Sequence, residues 1–116
     1  MPTLGNPFNA VVPRKLTKEE LKQAIRLDIA GELDAIYGYE AHAMATDDEF
    51  ARAVLLDISR EEKVHIGELM TLLRHLDADE ADAFIEGEEE VKELMEELGI
   101  AGSKNPEETI GRLRDM

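Results

Sequence analysis

The sequence predicts an all-α protein, in which an antiparallel hairpin of two long helices is followed by a short C-terminal helix. The four prolines lie at positions 2, 7, 13 and 106, so nothing of that kind interrupts residues 14 to 105. Apolar residues in this region recur at intervals of three and four, as on one face of a helix. Capping-box sequences at Thr17 and Thr46 mark two helix starts.

Composition and charge limit the class of function. A chain of 116 residues is one domain or less than one, and a chain this short often completes its core by forming an oligomer. The net charge of -14 repels nucleic acid and attracts cations. The absence of cysteine excludes disulfides, thiolate zinc sites and iron–sulfur clusters on this chain. No apolar run approaches the roughly 20 residues of a membrane span, and no secretory signal is visible, so we expect a cytosolic protein.

The first helix is predicted to begin near Lys18. Residues 1 to 16 read as an extended arm, and Thr17 and Glu20 then form the capping box. The apolar stripe that follows contains Leu21, Ile25, Ile29, Ile36, Tyr39 and Ala43. Glu32 falls within this stripe, where an apolar residue is expected.

The second helix is predicted over residues 47 to 76. A capping box at Thr46 and Glu49 leaves almost no loop, which makes the two helices antiparallel neighbours. Its apolar stripe comprises Val54, Leu55, Ile58, Leu69, Leu72 and Leu76. Glu62 and His65, three residues apart and therefore on one face, interrupt that stripe.

The C-terminal third is predicted to hold a short helix and a tail. Residues 77 to 80 are predicted to form a third helix cap, and a short helix is predicted from there to about Glu86. After a break at Gly87, a further amphipathic helical segment is predicted to stop at Gly99. We therefore expect a helical domain over residues 17–99, with a linker and tail over 100–116.

In an antiparallel hairpin, two residues that are equally far from the turn lie at the same height. The position halfway between Glu32 and Glu62 in the sequence, and that halfway between Glu32 and His65, both lie within about two residues of position 47 in the turn. Glu32 is therefore predicted to lie level with Glu62 and His65. Buried carboxylates and imidazoles are costly unless something compensates them, and a metal ion would do so. One Glu facing a Glu-x-x-His is half of the ligand set of a di-iron carboxylate site in a four-helix bundle. The spacing therefore predicts that two chains dimerise into such a bundle. The alternative is a solvated acidic surface with His65 as a chance neighbour.

Other polar residues are weaker candidates. Tyr39, seven residues after Glu32, is either a hydrogen-bonding neighbour of the site or a core tyrosine. Asp28, one turn before Glu32, either helps ions approach or is a solvated flank residue. His42 lies off the apolar face, and His75 suits the negative end of the second helix, so neither is predicted as a ligand.

The stretch from residue 30 to residue 77 resembles the encapsulated ferritins, which are ferritin-like proteins housed in encapsulin nanocompartments. The segments that carry the resemblance are Glu32-Leu33-Asp34-Ala35-Ile36, Tyr39, and residues 57 to 65. The resemblance implies that Glu32, Glu62 and His65 hold iron at a dimer interface, with Tyr39 in contact with the site. It also implies a ring of five dimers that oxidises iron and needs a shell to store it.

The resemblance also bears on how iron enters the site. Some family members carry acidic residues just before and two after the first glutamate, where they attract ions. Here those positions are Gly31 and Asp34, so only the second is acidic.

The tail is similar to the short C-terminal peptides that dock cargo inside encapsulin shells. The residues concerned are Thr109, Ile110, Gly111, Leu113 and Arg114, after a linker that includes Pro106. The alternative is a short terminal helix capped by Asn105. Because some archaeal relatives are fused to the shell protein, a chain ending at residue 116 is also compatible with a piece of such a fusion.

The function expected from the residues and the resemblance is a ferroxidase that oxidises Fe2+ with O2 at a di-iron site, in a dimer-based decamer inside an encapsulin shell. Neither nucleic acid nor membrane is an expected partner. One alternative is a peroxide-reducing di-iron protein, although the absence of cysteine removes the usual rubredoxin relay. The other is a non-enzymatic acidic helical dimerisation module.

Overall fold

The computed structural model describes residues 14 to 100, which form three α-helices and no strand. These are α1 (Lys18–Met44), α2 (Glu49–Leu76) and α3 (Ala78–Glu97). None of the three is long and apolar enough to cross a membrane. The chain divides into two compact units between Ala78 and Asp79. Most of the predicted arm and all of the predicted cargo tag (109–114) lie outside the described residues, and the domain limits 17–99 stay a prediction.

The capping box predicted at the start of α1 is confirmed. The backbone N–H of Glu20 donates to the Thr17 hydroxyl at 3.2 Å, and the Thr17 backbone N–H donates to the Glu20 carboxylate at 3.0 Å. The same carboxylate accepts two hydrogen bonds from Arg14, at 2.8 and 2.7 Å. Glu20 thus satisfies a backbone donor that the helix leaves free and also pairs with a cation.

The predicted capping box at Thr46 and Glu49 is wrong. The N-cap of α2 is Asp48, whose carboxylate accepts from the backbone N–H of Ala51 at 3.0 Å, and the helix begins at Glu49 rather than 47. Thr46 instead accepts from the backbone N–H of Asp48 at 3.1 Å, a local turn bond that hydroxyls favour before a helix. An Asp caps as well as a Thr and adds a negative charge at the positive end of the helix, which favours it here.

Polar contacts fasten both ends of the α1–α2 hairpin. Near the turn, Arg52 of α2 donates to the carbonyl oxygens of Ala43 and Thr46, and its bond to Ala43 measures 3.1 Å. At the far end, the Asp77 carboxylate lies 3.6 Å from the ammonium of Lys22 and 3.5 Å from the guanidinium of Arg26. The two helices are the antiparallel neighbours that the sequence predicts. Each is about 40 Å long.

The hairpin has little buried core of its own. Its buried residues are Ile25, Ala43, Leu73 and the polar Ser59. Many large apolar side chains stay exposed, among them Leu33, Tyr37, Met44, Phe50, Val54, Leu56, Val64 and Leu72. Two helices can cover only one stripe of each other, so apolar residues to either side of the seam remain in contact with water.

Up to residue 100, where the described residues end, the second unit contains a single helix rather than the two segments predicted around Gly87. α3 runs for 20 residues through that glycine. A glycine inside a helix costs about 1 kcal/mol relative to alanine, and the Glu, Lys and Leu residues around it are good helix formers that offset this cost. The predicted stop at Gly99 is confirmed. Its φ is 72°, and the bonds Gly99 N–H to Glu96 and Ile100 N–H to Met95 form a Schellman motif.

The Arg14–Glu20 pair predicts how the start of α1 responds to acid. The Arg14 guanidinium, with the Thr17 backbone N–H, lowers the pKa of Glu20 from 4.5 to about 2. Because the folded-state pKa is depressed, the stabilisation is complete above pH 4.5 and is lost as the pH falls towards 2. An NMR titration of the Glu20 carboxyl carbon should show a midpoint near 2 in the native chain. Arg14→Ala should move that midpoint up towards 4.5, and a native midpoint already near 4.5 would contradict the pairing.

Candidate metal centre

Two glutamates and a histidine converge midway along the hairpin. Glu32 comes from the middle of α1, while Glu62 and His65 come from one face of α2. The His65 Nδ1 atom lies 3.7 Å from Glu32 Oε2 and 3.6 Å from Glu62 Oε2. One potential ligand atom of each residue lies within 4.8 Å of the others. The register of the two helices therefore brings together the three residues that the spacing selects.

The environment of these donors fits a cation. Glu32 Oε2 is buried without a hydrogen-bond partner, which is costly for a carboxylate oxygen unless a positive charge compensates it. The contacts of His65 Nδ1 are longer than the usual hydrogen-bond range of about 2.7 to 3.2 Å. Oxygen and nitrogen ligands that share an ion at about 2.1 Å lie roughly 3 to 3.5 Å apart. A small closure of the present cluster would reach that arrangement.

One chain supplies an incomplete ligand set. The side chains of Glu32 and Glu62 are 25% and 18% exposed, but that of His65 is 50% exposed. Two carboxylates and one imidazole also leave coordination positions open on a metal that takes up to six ligands. The cluster is thus sheltered from one side by the hairpin and open on the other.

The remaining predicted site residues lie outside this cluster. Tyr39 is half-buried on α1, and Asp28 and Asp34 are exposed on the same helix. His42 and His75 are exposed in the last turns of α1 and α2. The roles of Tyr39, Asp28 and Asp34 stay predictions.

Sequence reasoning missed a polar group beside the cluster, formed by Glu40, Ser59 and Lys63. Glu40 Oε1 accepts from the Ser59 hydroxyl at 2.9 Å and from the Lys63 ammonium at 2.8 Å. The Lys63 ammonium and then the Ser59 hydroxyl lower the pKa of Glu40. The signal in the sequence was a serine at a core-facing position of α2 with a lysine four residues later, on the same face.

Known proteins resemble this chain over most of its length, although no protein-family model matches it. The ferritin-like-encapsulin shell fusion protein of Pyrococcus furiosus is 47% identical over 106 residues, which are 90% of this chain but 31% of the fusion protein. The encapsulin nanocompartment cargo protein EncC of Myxococcus xanthus is 38% identical over 125 residues, covering 94% of this chain and 96% of that protein. The chain belongs to the encapsulated ferritins.

A solved structure agrees with this membership. The encapsulated ferritin domain from Pyrococcus furiosus matches with a TM-score of 0.72 and 46% identity, covering 84% of this chain and 96% of that one. The resemblance drawn from residues 30 to 77 is therefore confirmed at the level of the family. In this encapsulated ferritin, the three converging residues lie within the stretch that carries the resemblance.

Metal binding should depend on His65 and on neither of the other two histidines. His65→Ala removes the one nitrogen donor of the cluster, and we expect the affinity for Co2+, used as a spectroscopic probe, to fall at least tenfold. His42→Ala and His75→Ala are matched controls, because both residues lie outside the cluster on the same two helices. Titrations by calorimetry would measure this, and equal losses in all three variants would argue against the cluster.

Proposed function

We propose that this protein is a ferroxidase, which binds Fe2+ as its substrate at Glu32, Glu62 and His65 and oxidises it to Fe3+ with O2. The observation that carries the proposal is the convergence of two partly buried carboxylates and an imidazole, with Glu32 Oε2 left without a hydrogen bond. Membership of the encapsulated ferritins supports iron as the metal.

The donor set suits iron in both oxidation states. Carboxylate oxygens and imidazole nitrogen bind Fe2+, and the oxygen ligands gain strength as the ion becomes more highly charged. The net charge of -14 further raises the local concentration of cations. Glu62 is the candidate for a carboxylate that would bridge two irons, because it belongs to the cluster and its carboxylate offers two oxygen ligands.

The proposed reaction balances with O2 as the electron acceptor. Each Fe2+ loses one electron. O2 takes two electrons and two protons to give hydrogen peroxide, or four of each to give water. The residues of this chain bind and orient the two ions, while open coordination positions admit the oxidant.

A second copy of the chain would complete the site. Val54 and Leu72 are exposed, and they share a stripe of α2 with His65 through spacings of three, four and seven residues. Packing this stripe against its copy in a two-fold dimer would bury these apolar side chains together with the open side of the cluster. Two hairpins then form a ferritin-like four-helix bundle with two half-sets of ligands. A ring of five such dimers is the further expectation from the family.

The location of the protein in the cell is proposed from its relatives. Two of them are named for the encapsulin nanocompartment or its shell. We propose that this chain also acts inside an encapsulin shell in the cytoplasm, where Fe3+ is stored. Residues Thr109, Ile110, Gly111, Leu113 and Arg114 are the proposed docking peptide, and they lie outside the described residues.

Loss of any one ligand should strongly slow iron oxidation. Glu32→Ala, Glu62→Ala and His65→Ala should each lower the initial rate of Fe3+ formation at least a hundredfold relative to the native chain, measured by absorbance under O2. Glu61→Ala is the matched control, because Glu61 is exposed and neighbours Glu62 without belonging to the cluster. Native rates in all three ligand variants would contradict the proposal. A faster rate with H2O2 than with O2 would instead indicate a peroxide-reducing protein.

Assembly should require the apolar stripe beside His65. Val54→Asp puts a charge into the proposed interface, so we expect a monomeric native mass and little iron oxidation. Val64→Asp on the same helix is the matched control, because the two valines are similarly exposed (43% and 54%) while Val64 lies off the stripe. Native mass spectrometry with and without Fe2+ would measure both. Equal effects of the two substitutions would argue against this face as the interface.

A further inference from the structure

We propose that Glu40, Ser59 and Lys63 act as positioning residues, which fix the height and rotation of α2 against α1 so that Glu62 and His65 meet Glu32. We call these three residues the Glu40 bridge. The inference rests on the proposed metal site and extends it to residues that touch no ligand atom.

The Glu40 bridge ties two successive turns of α2 to one atom of α1. Ser59 and Lys63 are four residues apart, so they lie one turn from each other on the same face. Both donate to Glu40 Oε1, at 2.9 and 2.8 Å. A single interhelical hydrogen bond leaves a helix free to rotate about it. Two bonds from adjacent turns to one acceptor restrict both sliding and rotation.

The ligands lie within the tied segment or next to it. Glu62 is between Ser59 and Lys63 in the chain, and His65 follows two residues later. The other interhelical contacts described above involve Arg52 and Asp77, which are ten and fifteen residues from Glu62. At 1.5 Å per residue those contacts lie roughly 15 and 22 Å away. They hold the ends of the hairpin, whereas the Glu40 bridge holds its middle.

Small rotations of α2 would disperse the metal ligands. Side-chain tips lie about 5 to 6 Å from the helix axis, so a rotation of about 20° moves them by roughly 2 Å. Metal–ligand distances tolerate changes of only about 0.2 Å. Apolar packing alone is a weak constraint here, because the hairpin buries few side chains of its own.

Ser59 is the buried member of the bridge. It is 1% exposed, so away from Glu40 its hydroxyl would have little besides its own helix backbone to bond to. The side chains of Glu40 and Lys63 are 40% and 59% exposed. The Lys63 ammonium and then the Ser59 hydroxyl stabilise the ionised form of Glu40 and lower its pKa. An ionised carboxylate is the stronger acceptor for both donors.

The test is Co2+ binding to the full chain, followed by visible absorption, which reports the affinity and the coordination geometry without turnover. Ser59→Ala and Glu40→Ala should each raise the Kd for Co2+ about tenfold and change the spectrum of the bound ion. Glu40→Gln should keep the Kd within about twofold of the native value, since its amide oxygen still accepts from both donors.

The matched control is Thr71→Val, which also removes a hydroxyl from α2. Thr71 bonds only within its own helix in the contacts described, to the carbonyl of Gly67 at 2.8 Å, so the Kd and spectrum should stay native. A native Kd and spectrum in Ser59→Ala and Glu40→Ala, even with a lower melting temperature, would overturn the inference. If Glu40→Ala fails to fold, Ser59→Ala decides.

The dependence on the proposed function can be separated in the same titration. Co2+ binding that is lost in His65→Ala but unaffected in Ser59→Ala overturns the positioning role alone. Co2+ binding that is insensitive to His65→Ala overturns the proposed site and, with it, this inference. Loss in His65→Ala together with a weakened, spectrally altered site in Ser59→Ala supports both.

Discussion

The antiparallel register of α1 and α2 is the constraint on which the rest of the structure depends. It brings the carboxylate of Glu32 to within 3.7 Å of His65 Nδ1. The Oε2 atom of Glu32 is left without a hydrogen bond. Gathering these groups costs free energy in a chain without a metal, because partly buried carboxylates repel each other and lose hydration. The hairpin tolerates this cost since polar contacts at both ends and in the middle hold its register. Stability and site geometry thus rest on the same interhelical bonds.

Hairpin geometry also explains why the apolar surface and the ligand set are both incomplete. A two-helix unit presents two sides to its surroundings, and neither can be covered by the hairpin itself. His65 is half exposed on the side that also carries Val54 and Leu72. On the proposed dimer, one packing event would cover the apolar stripe and complete the metal centre. Residues that look like poor core positions in one chain would then be ordinary core positions in two.

The sequence predicted the convergence of Glu32, Glu62 and His65 better than the helix boundaries, for physical reasons. Glu32 could be placed because helical rise is constant, so register across a short turn depends only on counting. The cap of α2 was misplaced because Thr46 and Asp48 are nearly equivalent cap residues and local geometry decides between them. Gly87 was overrated as a breaker, since its cost of about 1 kcal/mol is spread over a long helix. The Glu40 bridge could not be predicted by the same counting, because the midpoints of its two pairs, 49.5 and 51.5, lie beyond position 47 and the partners are therefore not level across the turn.

Sharing a metal centre between two chains would couple occupancy to assembly. If ions bind the dimer more tightly than the monomer, ion binding stabilises the dimer. By linkage, the factor by which bound ions favour dimerisation equals the factor by which dimerisation raises the affinity for the ions. Repulsion among the carboxylates destabilises the metal-free cluster. Because bound ions would compensate this repulsion only in the dimer, assembly would then depend on the concentration of iron. A hairpin with a larger core of its own would depend less on a second chain and would lose that coupling. The small core of this hairpin leaves it dependent on a partner, as the proposed coupling requires.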